Sequence, residues 1–134
     1  MKKIILALLI GITLTGCGNK IKCTKNMKNE VLQQKMTYNI YKKKDNITKV
    51  ITKEKYEIYN EEINENYDYL LSFRFDNLND KNIKYDYTHK NNKYNLTTTY
   101  DLNTMDEETI NEYIGTKNIS EYIDILTEQG YKCK

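Results

Sequence analysis

Apolar residues are spaced in three different ways along this chain. Ile4 to Thr13 is an almost unbroken apolar block behind Lys2 and Lys3. It is shorter than the roughly 20 residues a helix needs to cross a bilayer. Gly18 to about Asn29 is polar and without period, and is expected to be a spacer. Alternation then sets in. Met36-Thr37-Tyr38-Asn39-Ile40-Tyr41 has the period of a strand, and Asp45-Asn46 supplies turn chemistry. Ile47 to about Glu57, with Val50, Ile51, Thr52 and Tyr56, is rich in β-formers. Together these stretches predict a hairpin.

The middle of the chain fits two periods. Tyr67, Leu70, Leu71, Phe75 and Leu78 follow Ile63 at helical spacings, yet Tyr67, Tyr69, Leu71, Phe73 and Phe75 also alternate like a strand. Helix is preferred for 60–78. Asn60 can cap it, Glu61 and Glu62 sit where the helix dipole favours acids, and the segment is long for a strand. The cost is Arg74 within the apolar face.

Strict alternation returns in Ile83-Lys84-Tyr85-Asp86-Tyr87-Thr88. Asn91-Asn92 turns the chain, and Tyr94 to Tyr100 answers as the second arm of a hairpin. Two helices follow. Thr104-Met105-Asp106-Glu107 reads as a capping box before Ile110 and Ile114, and Gly115 stops the helix. Asn118-Ile119-Ser120-Glu121 opens the second, with Ile119, Tyr122, Ile123 and Leu126 on one face and Gly130 past its end. The predicted fold is α+β, one small domain with an antiparallel sheet of two hairpins packed against helices, in the order β-β-α-β-β-α-α.

Composition sharpens this picture in two ways. Of 134 residues, 13 are Tyr and none is Pro or Trp, so tyrosine rings must do much of the packing normally left to Leu and Val. The formal charge is +2, and removing Lys2 and Lys3 leaves side-chain charges balanced. A balanced chain argues against a nucleic-acid partner, which calls for a clustered basic face. Lys42-Lys43-Lys44 is expected to be a solvated turn between strands, with contact to anionic lipid or wall polymer as the alternative.

The leader now takes on meaning. A positive start followed by a short apolar block is the architecture of an export signal. Alternatives are a retained single-span anchor and export with soluble release, but Leu14 stands where ordinary signal peptidase wants a small residue. Leu14-Thr15-Gly16-Cys17 resembles the lipobox of bacterial lipoproteins, whose cysteine is acylated before cleavage in front of it. The resemblance implies residues 1–16 as a cleaved signal peptide and 17–29 as lipidated N-terminus and spacer, with 30–134 as the domain. The group added would be diacylglycerol with fatty acyl chains on Cys17, and two chains suffice for stable anchoring. The protein would then sit on the outer side of the cell membrane, its partner being the bilayer itself, with no other cofactor.

With Cys17 acylated, Cys23 and Cys133 are the remaining pair, and an exported compartment permits a disulfide. The rival is a zinc site using both thiols and His89, which lacks a fourth ligand and any CxxC spacing. His89 otherwise reads as an exposed residue at a strand end. A face carrying Tyr85, Tyr87, Tyr94 and Tyr100 is the candidate binding surface, its alternative being the core face beneath the helices. Two function classes follow. The first is a non-enzymatic envelope domain that binds or scaffolds. The second is an envelope hydrolase or metal-dependent enzyme built on carboxylates among Asp86, Asp101, Asp106, Glu107 and Glu108, although no HExxH, GxSxG or phosphate loop appears.

Several strings together resemble the YehR-like bacterial lipoproteins: Leu14 to Cys17, Cys23-Thr24-Lys25, Thr97-Thr98-Thr99-Tyr100-Asp101-Leu102, and Leu126 through Cys133. The resemblance spans nearly the whole mature chain. It implies an α+β domain, a Cys23–Cys133 pairing and a helix at 63–78, and it supplies no activity.

Overall fold

A computed structural model describes residues 19–76 and 80–134; the leader, the Leu14-Thr15-Gly16-Cys17 motif and Leu78 lie outside them. The chain runs β1 (Lys20–Lys28), β2 (Leu32–Lys43), β3 (Asn46–Ile58), α1 (Glu61–Asp76), β4 (Ile83–Lys90), β5 (Lys93–Asp101), α2 (Glu107–Tyr113), α3 (Ile119–Glu128) and β6 (Lys132–Cys133). All six strands join one sheet in the order β4-β5-β3-β2-β1-β6, each neighbouring pair antiparallel. The architecture is α+β, as the pattern predicts, with one strand added at each end of the expected order.

The first addition corrects the expected spacer. Lys20–Lys28 is β1, paired residue by residue with β2 from Lys20↔Tyr41 to Lys28↔Gln33. Its inward positions are Ile21, Cys23, Lys25 and Met27, so a lysine interrupts the apolar side and hides the period. Lys25 is accommodated because its ammonium lies over the Tyr131 ring at 5.6 Å and donates to the Gln129 carbonyl at 2.6 Å. The predicted first hairpin forms with longer arms, β2 and β3. Its pairing steps between Tyr41 and Lys42, and this bulge lets both Ile47 and Val50 reach the core.

Helix wins in the middle segment. The Asn60 side chain accepts from the Ile63 amide at 3.0 Å, as a cap should. Leu71 and Phe75 are buried with Tyr67 packed beside them, whereas Ile63 and Leu70, expected inside, are exposed. The helix is rotated so that Arg74 shares the inward side. At α2 the cap is Asp106, which accepts from the Thr109 amide at 2.8 Å. Thr104, the expected capping residue, donates instead to Asn82 Oδ1 at 2.6 Å. Asn118 caps α3 as predicted, accepting from Glu121 N at 3.1 Å.

All three helices cover the same face of the sheet. Under α2 and α3 lies a cluster with Ile40, Val50, Leu102, Ile110, Tyr122 and Leu126 at its centre. Under α1 lies a second, of Ile58, Leu71, Phe75, Tyr94 and Leu96. A disulfide joins Cys23 on β1 to Cys133 on β6, across a sequence separation of 110. The paired Lys22 and Lys134 backbones complete this seam at 2.9 and 3.0 Å.

Candidate functional site

The four nominated tyrosines do share one side of the sheet, because Ile83↔Tyr100, Tyr85↔Thr98, Tyr87↔Leu96 and His89↔Tyr94 are direct cross-strand pairs. That side is the one beneath the helices. Tyr94 is 1% exposed, its ring against Tyr67, and its hydroxyl donates to Asn64 Oδ1 at 2.9 Å. Tyr100 packs against the α2–α3 cluster. These two rings are core, which corrects the idea of a four-ring surface. Tyr85 and Tyr87, at 42% and 37% exposed, line the free edge strand β4, where Phe75 stacks on them at 4.1 and 5.9 Å.

His89 is tied down rather than free. Its Nδ1 lies 2.9 Å from Asp68 Oδ2, its Nε2 contacts the Asn91 carbonyl, and its ring stacks on Tyr94. Cys23 and Cys133 are bonded to each other, so the zinc alternative loses both thiols. Two of the candidate carboxylates, Asp101 and Asp106, hold local backbone structure. Asp101 accepts from the Asn103 amide, and Glu107 and Glu108 sit in the first turn of α2. Asp106 caps that helix, and the Thr109 amide holds its carboxyl below the ordinary range. Asp86 points outward from β4 opposite Thr97. Among the described residues no three His, Cys, Asp or Glu side chains gather as metal ligands.

Two features escaped the residue-by-residue reading. The first is a buried polar knot between the two apolar clusters. Glu54, 4% exposed, accepts from the Tyr56 hydroxyl at 2.9 Å and pairs with Arg74, Nη2 to Oε2, at 3.1 Å. Burial pushes the Tyr56 hydroxyl well up, and the Glu54 charge beside it adds to the shift. Lying at the inner side of α1, this group satisfies a carboxylate that would otherwise be stranded in the interior. The second feature is the opposite face of the sheet, which no described element covers.

On that open face the outward positions of β1 include Lys20, Lys22 and Lys28, and those of β2 include Lys35. Beyond the bulge β3 pairs without interruption, so Lys49, Lys53 and Lys55 face outward together, while Val50, Thr52 and Glu54 point in. Lys84, Lys90, Lys93 and Lys132 extend the pattern to both edges, against only Glu57, Asp86 and Asp101 among outward acids. Lys35 and Lys55 are direct cross-strand partners. Like charges so placed repel each other. None of these lysines forms an ion pair among the described residues. Lys20 and Lys49 lie over the Tyr41 ring at 5.7 and 4.7 Å.

A shallow depression of about 270 Å³ runs across this face, floored by Thr37 and Asn39 and rimmed by Lys20, Lys22, Lys35, Lys53 and Lys55. A neighbouring one of about 320 Å³ shares Lys35 and Lys55 and reaches Lys93. Exposed acids meanwhile gather on the helices, at Glu61, Glu62, Glu121, Asp124 and Glu128 among others. Balanced net charge therefore conceals a basic face and an acidic back, and the balance alone no longer argues against an anionic polymer as partner. The sequence signal was the i, i+2 spacing of Lys20 and Lys22 and of Lys53 and Lys55, which in a strand puts both members on one side. Chemically the face offers a two-dimensional array of hydrated ammonium groups to anionic oxygens.

No protein-family model matches the chain, and no curated protein matches it. Among solved structures, one determined by NMR for a protein from Streptococcus pneumoniae TIGR4 is similar in fold. Its TM-score is 0.50 at 15% identity, covering 85% of this chain and 84% of that one.

Proposed function

We propose that this chain is a bacterial lipoprotein of the YehR-like kind, held by acyl groups on Cys17 outside the cytoplasmic membrane, whose domain binds or scaffolds in the envelope without catalysing a reaction. The observation that carries the reading is the Cys23–Cys133 bond. It uses both cysteines of the domain and suits an oxidising compartment, which leaves Cys17 as the thiol for acylation. The short apolar leader and the Leu14-Thr15-Gly16-Cys17 motif supply the rest of the case.

The test is metabolic labelling with a fatty-acid analogue in cells that process lipoproteins. Wild-type protein takes the label and is cleaved before Cys17, while Cys17→Ala stays unlabelled and keeps its leader. Equal labelling of the variant overturns the anchor. Crosslinking from intact envelopes then identifies what the domain contacts.

A further inference from the structure

We infer that the lysine-rich open face is a membrane-docking surface, resting on the anionic phospholipid headgroups of the bilayer to which the chain is tethered; this deepens the anchored reading and rests on it. The first argument is reach. Because β1 begins at Lys20, only Gly18 and Asn19 separate Cys17 from the sheet. Fully extended, such a tether spans about 10 Å. The start of β1 is thus held within about 10 Å of the headgroups, roughly the Debye length at 0.1 M salt.

The second argument is what stands at that end of the sheet. Lys20 pairs with Tyr41, so the end of β2, with Lys42 and Lys43, and the turn at Lys44 lie beside the tethered end. Lys43 and Lys44 are exposed there, and Lys44 adopts φ 56° at the turn. From this end the outward lysines spread over β1, β2 and β3 in two dimensions, strands about 4.8 Å apart. Such an array fits a plane of phosphates better than a single threaded polymer. The third argument is the unrelieved repulsion between Lys35 and Lys55, which anionic oxygens would neutralise. A lipid chain plus a polybasic patch is a two-signal membrane attachment.

The experiment uses the mature lipidated protein in phosphatidylcholine vesicles with and without phosphatidylglycerol, read by amine labelling and mass mapping. On vesicles containing phosphatidylglycerol, Lys20, Lys22, Lys43, Lys53 and Lys55 label more slowly than on neutral ones, and high salt abolishes the difference. Carboxylate labelling of Glu61, Glu62 and Glu128 on the helical side stays the same on both. At the salt concentration that halves protection, Lys35→Gln and Lys55→Gln each lower the docked-to-undocked ratio about five-fold. Neither change threatens the fold, because each removes a repulsion.

Equal lysine labelling on both vesicle types, with the protein floating with both, overturns the docking surface and leaves the anchor standing. Failure to float with neutral vesicles strikes the anchor instead. Protection by soluble polyphosphate without protection by anionic vesicles assigns the face to a polymer and also overturns the proposal.

Discussion

Glu54 is the residue on which the interior turns. A carboxylate 4% exposed between two apolar clusters is tolerable only because Arg74 and the Tyr56 hydroxyl reach it. Removing one partner of a fully buried pair costs about 3–5 kcal/mol, chiefly by stranding the other charge. Arg74 is 44% exposed, so water can partly replace it, and Arg74→Ala is expected to cost about 2 kcal/mol by denaturant unfolding. Arg74→Ala paired with Glu54→Gln should recover part of that loss. Thr98 presents the reverse case. It is 1% exposed and its hydroxyl has no hydrogen-bond partner among the described residues. Thr98→Val keeps the shape and removes that burden, so it is expected to raise stability by about 1 kcal/mol. A destabilised Thr98→Val would show that the hydroxyl is satisfied.

Elements repeat this lesson at their ends. Asn118 begins α3 by accepting from the Glu121 amide, and α3 carries Ile119, Tyr122 and Leu126 into the main cluster. Asn118→Ala should therefore cost about 1 kcal/mol in chemical denaturation and Asn118→Gly only a few tenths, since glycine leaves the cap open to water. Such caps were legible because they rest on residue type and local spacing. So were the second hairpin, where alternation is uninterrupted, and the helix at α1, where Asn60 and two glutamates outweigh an equally good strand period. What could not be read depends on partners distant in sequence. β1 carries Lys25 on its inward side, and only Gln129 and Tyr131, about a hundred residues on, make that placement favourable. The phase of α1 follows from Leu71 and Phe75 meeting Ile58, Tyr94 and Leu96 while Arg74 reaches Glu54 on β3. The basic face stayed hidden because net charge sums over the whole molecule, whereas a sheet sorts its charges by parity.

For the whole molecule, the consequence is two apolar clusters around a polar seam, closed by one covalent bond. Reduction of Cys23–Cys133 should lower stability by about 4–5 kcal/mol on the chain-entropy estimate for so long a loop. The tyrosine-rich interior sets a second limit, on the alkaline side. Tyr38, Tyr56 and Tyr122 have hydroxyls pushed well above the ordinary 10.0, by burial first of all. At Tyr56 the Glu54 carboxylate adds to burial, and at Tyr38 its neighbour Tyr131 does. Below pH 10 these phenols are neutral whether the chain is folded or not, and their contribution to stability is fully present. Above it the unfolded chain sheds their protons while the fold retains them. Stability must fall as pH climbs from 10 towards the raised folded values. Tyrosinate absorbance and circular dichroism followed together across that range provide the measurement. The expected result is one cooperative step in which the buried rings ionise as the sheet is lost; rings that titrate near 10 with the fold intact would show that water already reaches the seam.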